Sequence, residues 1–120
     1  MSKLTIALDI MGGDHGPPVI LPAAVKAIQL HPDVHFTLCG DEDTIKAGIQ
    51  PLTNAERNRV TIVHCSQVVE MGEAPTSALR NKKDSSMRRV IELVESGEAN
   101  ACVSAGNTGA LLTLSFYLLK

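Results

Sequence analysis

Four short apolar segments, separated by stretches with a helical pattern, constrain the fold of this 120-residue chain more than any other feature. The predicted strands are Leu4–Leu8, Val34–Cys39, Val60–His64 and Ala101–Ser104. Strands that alternate with helices favour parallel pairing through right-handed crossovers. We therefore predict an α/β fold, built from parallel βαβ units of a three-layer, Rossmann-like sheet. The carboxyl ends of all four strands should lie along one edge of that sheet.

Proline and capping signals predict the first helices between these strands. One helix begins near Pro17, because proline suits the first helical position, and it stops at His31. A second helix is predicted to begin at Asp41 or Asp43. Residues 51–59 are polar, and we expect them to be irregular.

The clearest helix is predicted between Ser85 and Ser96, because its apolar residues recur at i, i+3, i+4 and i+7. These residues are Met87, Val90, Ile91 and Val94. Residues 110–120 are also helical in composition and apolar nearly all round, which predicts burial. We expect further chain to cover that helix, so that residues 1–120 form the N-terminal part of a single larger catalytic domain.

The composition excludes several classes of protein. Apolar residues make up 44% of the chain, enough for a core, and a net charge of −2 offers no general attraction to nucleic acid. Cys39, Cys65 and Cys102 lack Cys-x-x-Cys spacing, which favours reduced thiols in a cytoplasmic protein over a disulfide framework or a zinc site. No segment reaches the roughly 20 apolar residues that a membrane span needs.

A glycine-bearing junction follows the first predicted strand and reads Asp9-Ile-Met-Gly-Gly-Asp-His-Gly16. Gly12 and Gly13 permit close approach of the backbone to a ligand. Asp9 and Asp14 are candidates for orienting a polar ligand or for binding a metal. The alternative is a tight turn in which Asp14 caps the next helix. The spacing favours neither interpretation over the other.

A second junction, Ser104-Ala-Gly-Asn-Thr-Gly109, follows the fourth predicted strand. Its backbone N–H groups, at the start of a helix, could hold an anion. The candidates are Ser104, Gly106, Asn107 and Thr108. Because Ser104 does not lie in a Gly-x-Ser-x-Gly elbow, an anion-holding turn is favoured over a catalytic serine. Helix capping by Asn107 or Thr108 is the structural alternative. Two junctions at one sheet edge would share a ligand site.

A short basic segment stands out in this slightly acidic chain. It comprises Arg80, Lys82, Lys83, Arg88 and Arg89, opposed only by Asp84. Such a segment could receive phosphate or an acidic protein partner, and the alternative is a solvated helix face. We expect Lys82 and Lys83 to be the least constrained, with Arg80 as the third docking candidate.

Four segments carry a resemblance to a known family. They are Ala7–Pro17, Met71–Pro75, Arg80 with Lys83–Met87, and Ser104–Ala110. In order and spacing, these segments are similar to the N-terminal third of the PlsX-type phosphate acyltransferases. The resemblance spans essentially the whole chain, and the four motifs together are far more specific than any one of them.

The resemblance implies an enzyme of phospholipid synthesis. It would move a fatty acyl group from acyl carrier protein to inorganic phosphate, giving acyl phosphate. It also implies a cytoplasmic homodimer that associates peripherally with the membrane, needs no redox cofactor and has a fold like the isocitrate dehydrogenase group. Phosphate itself would be the nucleophile, which suits a sequence without a recognisable catalytic triad. The basic segment would suit an acidic carrier protein.

Three alternatives remain open at the level of sequence. Residues 9–14 loosely resemble the first phosphate loop of actin-like sugar kinases, but Pro17 favours a helix where those enzymes have a β-hairpin. A dinucleotide dehydrogenase domain could use Asp41 or Asp43 to meet a ribose, but the Gly-x-Gly-x-x-Gly fingerprint is absent. A non-catalytic module could dock an acidic partner through residues 80–89.

Overall fold

A sheet of four parallel strands forms the centre of the computed structural model, which describes residues 3–119. The strands are β1 (Leu4–Asp9), β2 (Val34–Gly40), β3 (Val60–His64) and β4 (Ala101–Val103). Their order is β3-β2-β1-β4, and each neighbouring pair is parallel. The predicted α/β class with parallel βαβ units is confirmed.

Helices cover both faces of the sheet. They are α1 (Pro17–Leu30), α2 (Glu42–Gly48), α3 (Asn54–Arg57), α4 (Pro75–Asn81), α5 (Ser86–Glu95) and α6 (Thr108–Leu119). Side chains alternate between the two faces of a strand, so each face contributes to its own core. Ile6 and Leu8 pack with α1 and α2, whereas Ala7 packs with α4, α5 and α6. The result is the predicted three-layer arrangement.

The predicted helix between Ser85 and Ser96 is confirmed as α5. The Ser85 hydroxyl caps it by accepting a hydrogen bond from the Arg88 N–H at 3.1 Å. Arg88 and Glu92 form the expected i, i+4 ion pair, with 3.2 Å between Nε and Oε2. The apolar face points inward, where Ile91 is fully buried. The capping residue and the buried apolar face therefore both support a helix over this segment.

Two short helices lie where periodicity gives no signal. Helix α3 falls within the segment expected to be irregular, and a capping box between Thr53 and Glu56 forms its first turn. Helix α4 begins at Pro75, a residue suited to a first helical position. Each is too short to show a repeating apolar face.

Helix α6 is buried on one side only within the described residues, and the expected cover of its outer side by further chain stays a prediction. Ala110 and Leu114 are fully buried where the helix packs on α4 and α5. The outward side chains are exposed: Leu112, Phe116, Tyr117 and Leu119. Within residues 3–119, nothing packs against that outer side. No helix in the same range is long and apolar enough to cross a membrane.

Candidate functional site

The strand order creates a topological switch point between β1 and β4. From β1 the chain moves to β2 and β3 on one side, and β4 then pairs with the other side of β1. In open parallel sheets, ligands bind outside the carboxyl ends of the strands at such a point. The loops that follow β1 and β4 are the two glycine-bearing junctions singled out in the sequence.

The two junctions touch each other through glycines. A Cβ atom on Gly12 would lie 2.7 Å from Oδ2 of Asp9 and 3.1 Å from the backbone nitrogen of Gly106. A Cβ atom on Gly106 would lie 2.8 Å from Cε of Met87 and 3.6 Å from Cα of Gly12. Position 12 therefore requires glycine for close approach, whereas a side chain at position 106 would have to displace the end of Met87. The predicted proximity of the two loops is confirmed, and they pack directly on one another.

Asp9 lies beneath this contact and is 3% exposed. Its Oδ1 accepts hydrogen bonds from the N–H groups of Met11 and Gly12, at 3.2 and 3.1 Å, and from the hydroxyl of Ser86 at 2.5 Å. Its Oδ2 accepts from the hydroxyl of Ser104 at 2.8 Å. Sequence analysis named Asp9 as a substrate-binding candidate. The structure shows that protein donors already occupy both carboxylate oxygens.

Ser104 connects this carboxylate to the second junction. Its hydroxyl donates to Asp9 and accepts from the N–H of Gly106 at 3.1 Å. The hydroxyl is thus held inside the loop. This arrangement agrees with a role in shaping the turn rather than with a nucleophilic serine.

The side chain of Asn107 is also committed within the protein, and the residue is 8% exposed. Its Oδ1 accepts from the N–H of Ala110 at 3.1 Å, which caps α6. Its Nδ2 donates to the carbonyl oxygens of Glu70 and Glu73, at 3.1 and 2.7 Å. Asn107 therefore joins the start of α6 to the loop that precedes α4. Only its backbone N–H is left to meet a ligand.

Free backbone donors distinguish the start of α6 from the start of α1. In the described residues, no hydrogen bond uses the N–H groups of Asn107, Thr108 or Gly109. Helix α1, in contrast, opens with Pro17 and Pro18, which have no N–H. Its next two N–H groups both donate to the carbonyl of Gly16, at 3.1 Å. The start of α6 therefore has more free backbone donors than the start of α1 within the described residues.

Of the remaining candidates in the first junction, Gly13 lies against the second loop and Asp14 lies outside this cluster. Asp14 and His15 are exposed. Gly13 adopts φ +100° and lies near Ala105, whose carbonyl oxygen would be 3.4 Å from a Cβ atom at position 13. No group of three or more metal-ligating side chains occurs within residues 3–119. Gly12 and Gly13 thus form a wall against the second loop, while Asp14 faces solvent.

The basic segment is less uniform than its sequence indicates. The ammonium group of Lys82 donates to the carbonyl of Val68 at 2.8 Å and pairs with Oε1 of Glu73 at 3.4 Å. Lys82 is therefore held against the loop before α4, so the expectation that it is among the least constrained is wrong. Arg80 and Lys83 are exposed. Those two remain the accessible cations of the predicted docking set.

Glu73, the partner of Lys82, is held as a carboxylate. Burial raises its pKa, but hydrogen bonds from the Glu70 N–H, Lys82 and Ser77 outweigh that effect and lower the pKa overall. The pKa values of two cysteines, Cys39 and Cys102, shift in the opposite direction, whereas that of Cys65 is lowered by its contact with Cys39. A hydrogen bond with Cys65, together with burial, raises the pKa of the Cys39 thiol, and burial raises that of Cys102. Both are therefore core thiols rather than reactive ones.

Comparison with known proteins agrees with this architecture. The family described as "Fatty acid synthesis protein" matches residues 4–120. The chain belongs to this family. Its first helix, α1, also excludes the β-hairpin that the kinase-like alternative requires.

Curated relatives give the family a more specific name, "Phosphate acyltransferase". The protein of Halorhodospira halophila is 52% identical over 119 residues, which are 99% of this chain and 35% of that protein. The protein of Legionella pneumophila (strain Paris) is 52% identical over 120 residues, and that of Methylococcus capsulatus is 50% identical over 116. The chain spans about a third of the length of these relatives and corresponds to their N-terminal part.

Proposed function

We propose that the complete family chain transfers a fatty acyl group from acyl carrier protein to inorganic phosphate, giving acyl phosphate. By complete family chain we mean residues 1–120 followed by the remainder that the curated relatives possess. The observation that carries the proposal is the set of three N–H groups, at Asn107, Thr108 and Gly109, that have no partner within residues 3–119, where α6 begins at the switch point. The name of the relatives, phosphate acyltransferase, supports phosphate as the acyl acceptor.

The chemistry requires an anion site more than it requires a reactive side chain. A phosphate oxygen attacks the thioester carbonyl carbon, the C–S bond breaks, and the carrier's thiol leaves. The protein must hold the phosphate and stabilise the negative oxygen of the tetrahedral intermediate. Backbone N–H groups at a helix N-terminus suit both tasks, because they donate hydrogen bonds at the positive end of the helix dipole.

The carrier protein is proposed to dock through Arg80 and Lys83. Both are exposed, and both lie on or just after α4, which begins beside the second junction. The starts of α4 and α6 lie close together, because a Cβ atom on Gly109 would lie 3.1 Å from Cγ of Pro75. An acidic carrier held at these cations would bring its acyl thioester toward the start of α6. Dimer formation, peripheral membrane association and a cytoplasmic location stay predictions of the resemblance.

Thr108 offers a sharp test, because it is exposed at the first position of α6. Thr108→Pro removes one of the three N–H groups, yet proline is well tolerated at a first helical position. Thr108→Ala removes the side chain and keeps the N–H. In the complete family chain, we expect Thr108→Pro to lower kcat/KM for phosphate by about 10²-fold, as for a lost oxyanion donor.

Thr108→Ala is the matched control, and it should retain near-normal turnover. Acyl phosphate formation from acyl carrier protein is measured directly, with thermal unfolding to verify that both variants fold. Equal activity of the proline and alanine variants would show that the N–H of Thr108 does not contact the reacting groups. A wild-type chain that forms no acyl phosphate would refute the proposed reaction itself.

A further inference from the structure

Ser86 is a buried hydroxyl whose position is not explained by the helix it begins. It is the first residue of α5 and is 1% exposed. The neighbouring Ser85 already caps this helix through the N–H of Arg88. A hydroxyl this deeply buried would be costly without a hydrogen-bond partner. Its side chain has one partner, Oδ1 of Asp9 at 2.5 Å.

This hydrogen bond extends into the proposed anion site. Ser86 donates to Asp9, and the same carboxylate accepts from Ser104 at 2.8 Å. Ser104 in turn accepts from the N–H of Gly106 at 3.1 Å, one residue before the unpartnered N–H groups. The carboxylate also holds the N–H groups of Met11 and Gly12. One hydroxyl on α5 is therefore linked to both loops of the switch point.

We propose that Ser86 is a positioning residue for phosphate binding, acting through the carboxylate of Asp9. The inference rests on the proposed function for the identity of the anion. Ser86 does not touch the anion itself. Its hydrogen bond fixes the orientation of the Asp9 carboxylate, so that Ser104 and Gly106 hold the second loop with its free N–H groups directed at the ligand. Preorganised donors of this kind bind an anion without the cost of reordering the loop.

Ser86→Ala removes this single hydrogen bond and leaves the Ser85 cap in place. Hydrogen bonds to a charged group are among the stronger ones, so we expect the affinity of the complete family chain for inorganic phosphate to fall about tenfold. The affinity is measured by titration calorimetry, and KM for the acyl donor should not change. Ser86→Cys keeps the shape of the side chain with a weaker donor, and its affinity should lie between the two.

Ser66→Ala is the matched control. It removes another serine–carboxylate hydrogen bond, from Ser66 to Oδ2 of Asp84 at 2.6 Å, which lies on the exposed surface. We expect this variant to bind phosphate as the wild type does. Wild-type phosphate affinity in Ser86→Ala, or an equal loss in Ser66→Ala, would overturn the inference.

The two proposals fail in different ways. If the wild type binds phosphate and Ser86→Ala weakens that binding, the inference holds even when no acyl phosphate forms, and the proposed reaction alone is refuted. If the wild type forms acyl phosphate while Ser86→Ala keeps a normal KM for phosphate, the inference fails and the reaction stands.

Discussion

At the scale of single residues, Asn107 shows how one side chain serves both a helix and a loop. Its amide oxygen caps α6, and its amide nitrogen holds the carbonyls of Glu70 and Glu73. Loss of a helix cap typically costs about 1 kcal/mol, and two further hydrogen bonds are lost with it. We therefore expect Asn107→Ala to lower the free energy of unfolding by about 2 kcal/mol, measured by urea denaturation of the complete family chain.

Asn107→Ser separates the two roles. The serine hydroxyl can still cap α6, but it is too short to reach both carbonyls, so we expect it to recover about half of the lost stability. If Asn107→Ala unfolds at the same urea concentration as the wild type, the hydrogen bonds of the Asn107 side chain do not stabilise the fold. Serine behaving like alanine would assign the whole effect to the loop contact.

Asp9 shows which part of the candidate site can be predicted from the sequence and which cannot. The sequence correctly placed this carboxylate beside two glycines and a second polar loop. The sequence does not predict the hydrogen-bond partners of Asp9, because Ser86 is separated from it by 77 positions and Ser104 by 95. An acidic residue at the end of β1 is therefore satisfied by hydrogen bonds from within the protein. Ser86 lies within the Lys83–Met87 segment that carries the resemblance, but nothing in that segment indicates that its hydroxyl pairs with Asp9.

At the scale of elements, Asp84 joins the end of β3 to the start of α5. Its Oδ2 accepts from the hydroxyl and the N–H of Ser66, at 2.6 and 3.0 Å. These two hydrogen bonds lower the pKa of Asp84, and burial only partly opposes them. The carboxylate therefore favours the folded state while it is ionised.

The resulting stabilisation depends on pH in a definite direction. It is fully present above the ordinary aspartate pKa of about 3.9, and it is lost as the pH falls through the lower value of the folded state. We expect the melting temperature of the wild type to exceed that of Asp84→Asn near neutral pH. The difference should close below about pH 4.

Ser66→Ala provides the comparison for this element, because it removes one donor and retains the charge. Its melting temperature should show a smaller acid-dependent loss than that of the wild type. A gap between wild type and Asp84→Asn that stays constant down to about pH 2 would mean that the two hydrogen bonds do not link protonation to folding.

Helices α3 and α4 mark the limit of element prediction in this chain. Periodicity finds a helix only when several turns repeat an apolar face, as in α5. The four residues of α3 and the seven of α4 are too few. The sequence nevertheless contains signals for where both helices begin, since Thr53 and Glu56 have capping-box spacing and Pro75 suits a first turn.

At the scale of the whole molecule, the two exposed cations of the predicted docking set lie on one side of the sheet. Arg80 and Lys83 lie on the side of α4 and α5, whereas Lys26 is exposed on α1 across the sheet. Exposed charges mainly set association rate and salt dependence. We expect Lys83→Glu to raise KM for the acyl carrier substrate about threefold to fivefold at low salt, and to leave KM for phosphate unchanged.

Lys26→Glu makes the same change of net charge on the opposite layer. It should leave both KM values close to those of the wild type, and raising the salt concentration should reduce the effect of Lys83→Glu. A similar rise in the carrier KM for both variants would indicate a general charge effect. A rise in the phosphate KM for Lys83→Glu would place that lysine at the anion site.

The sequence by itself determined the parallel α/β class, the main helices and the two junctions, because apolar periodicity, proline and capping residues act over a few neighbouring positions. It did not determine the strand order, the contact of Gly12 with Gly106, or the partners of Asp9, Lys82 and Asn107. These depend on contacts between residues far apart in the chain. Only the return of β4 to pair with β1 brings both loops to one point at the edge of the sheet.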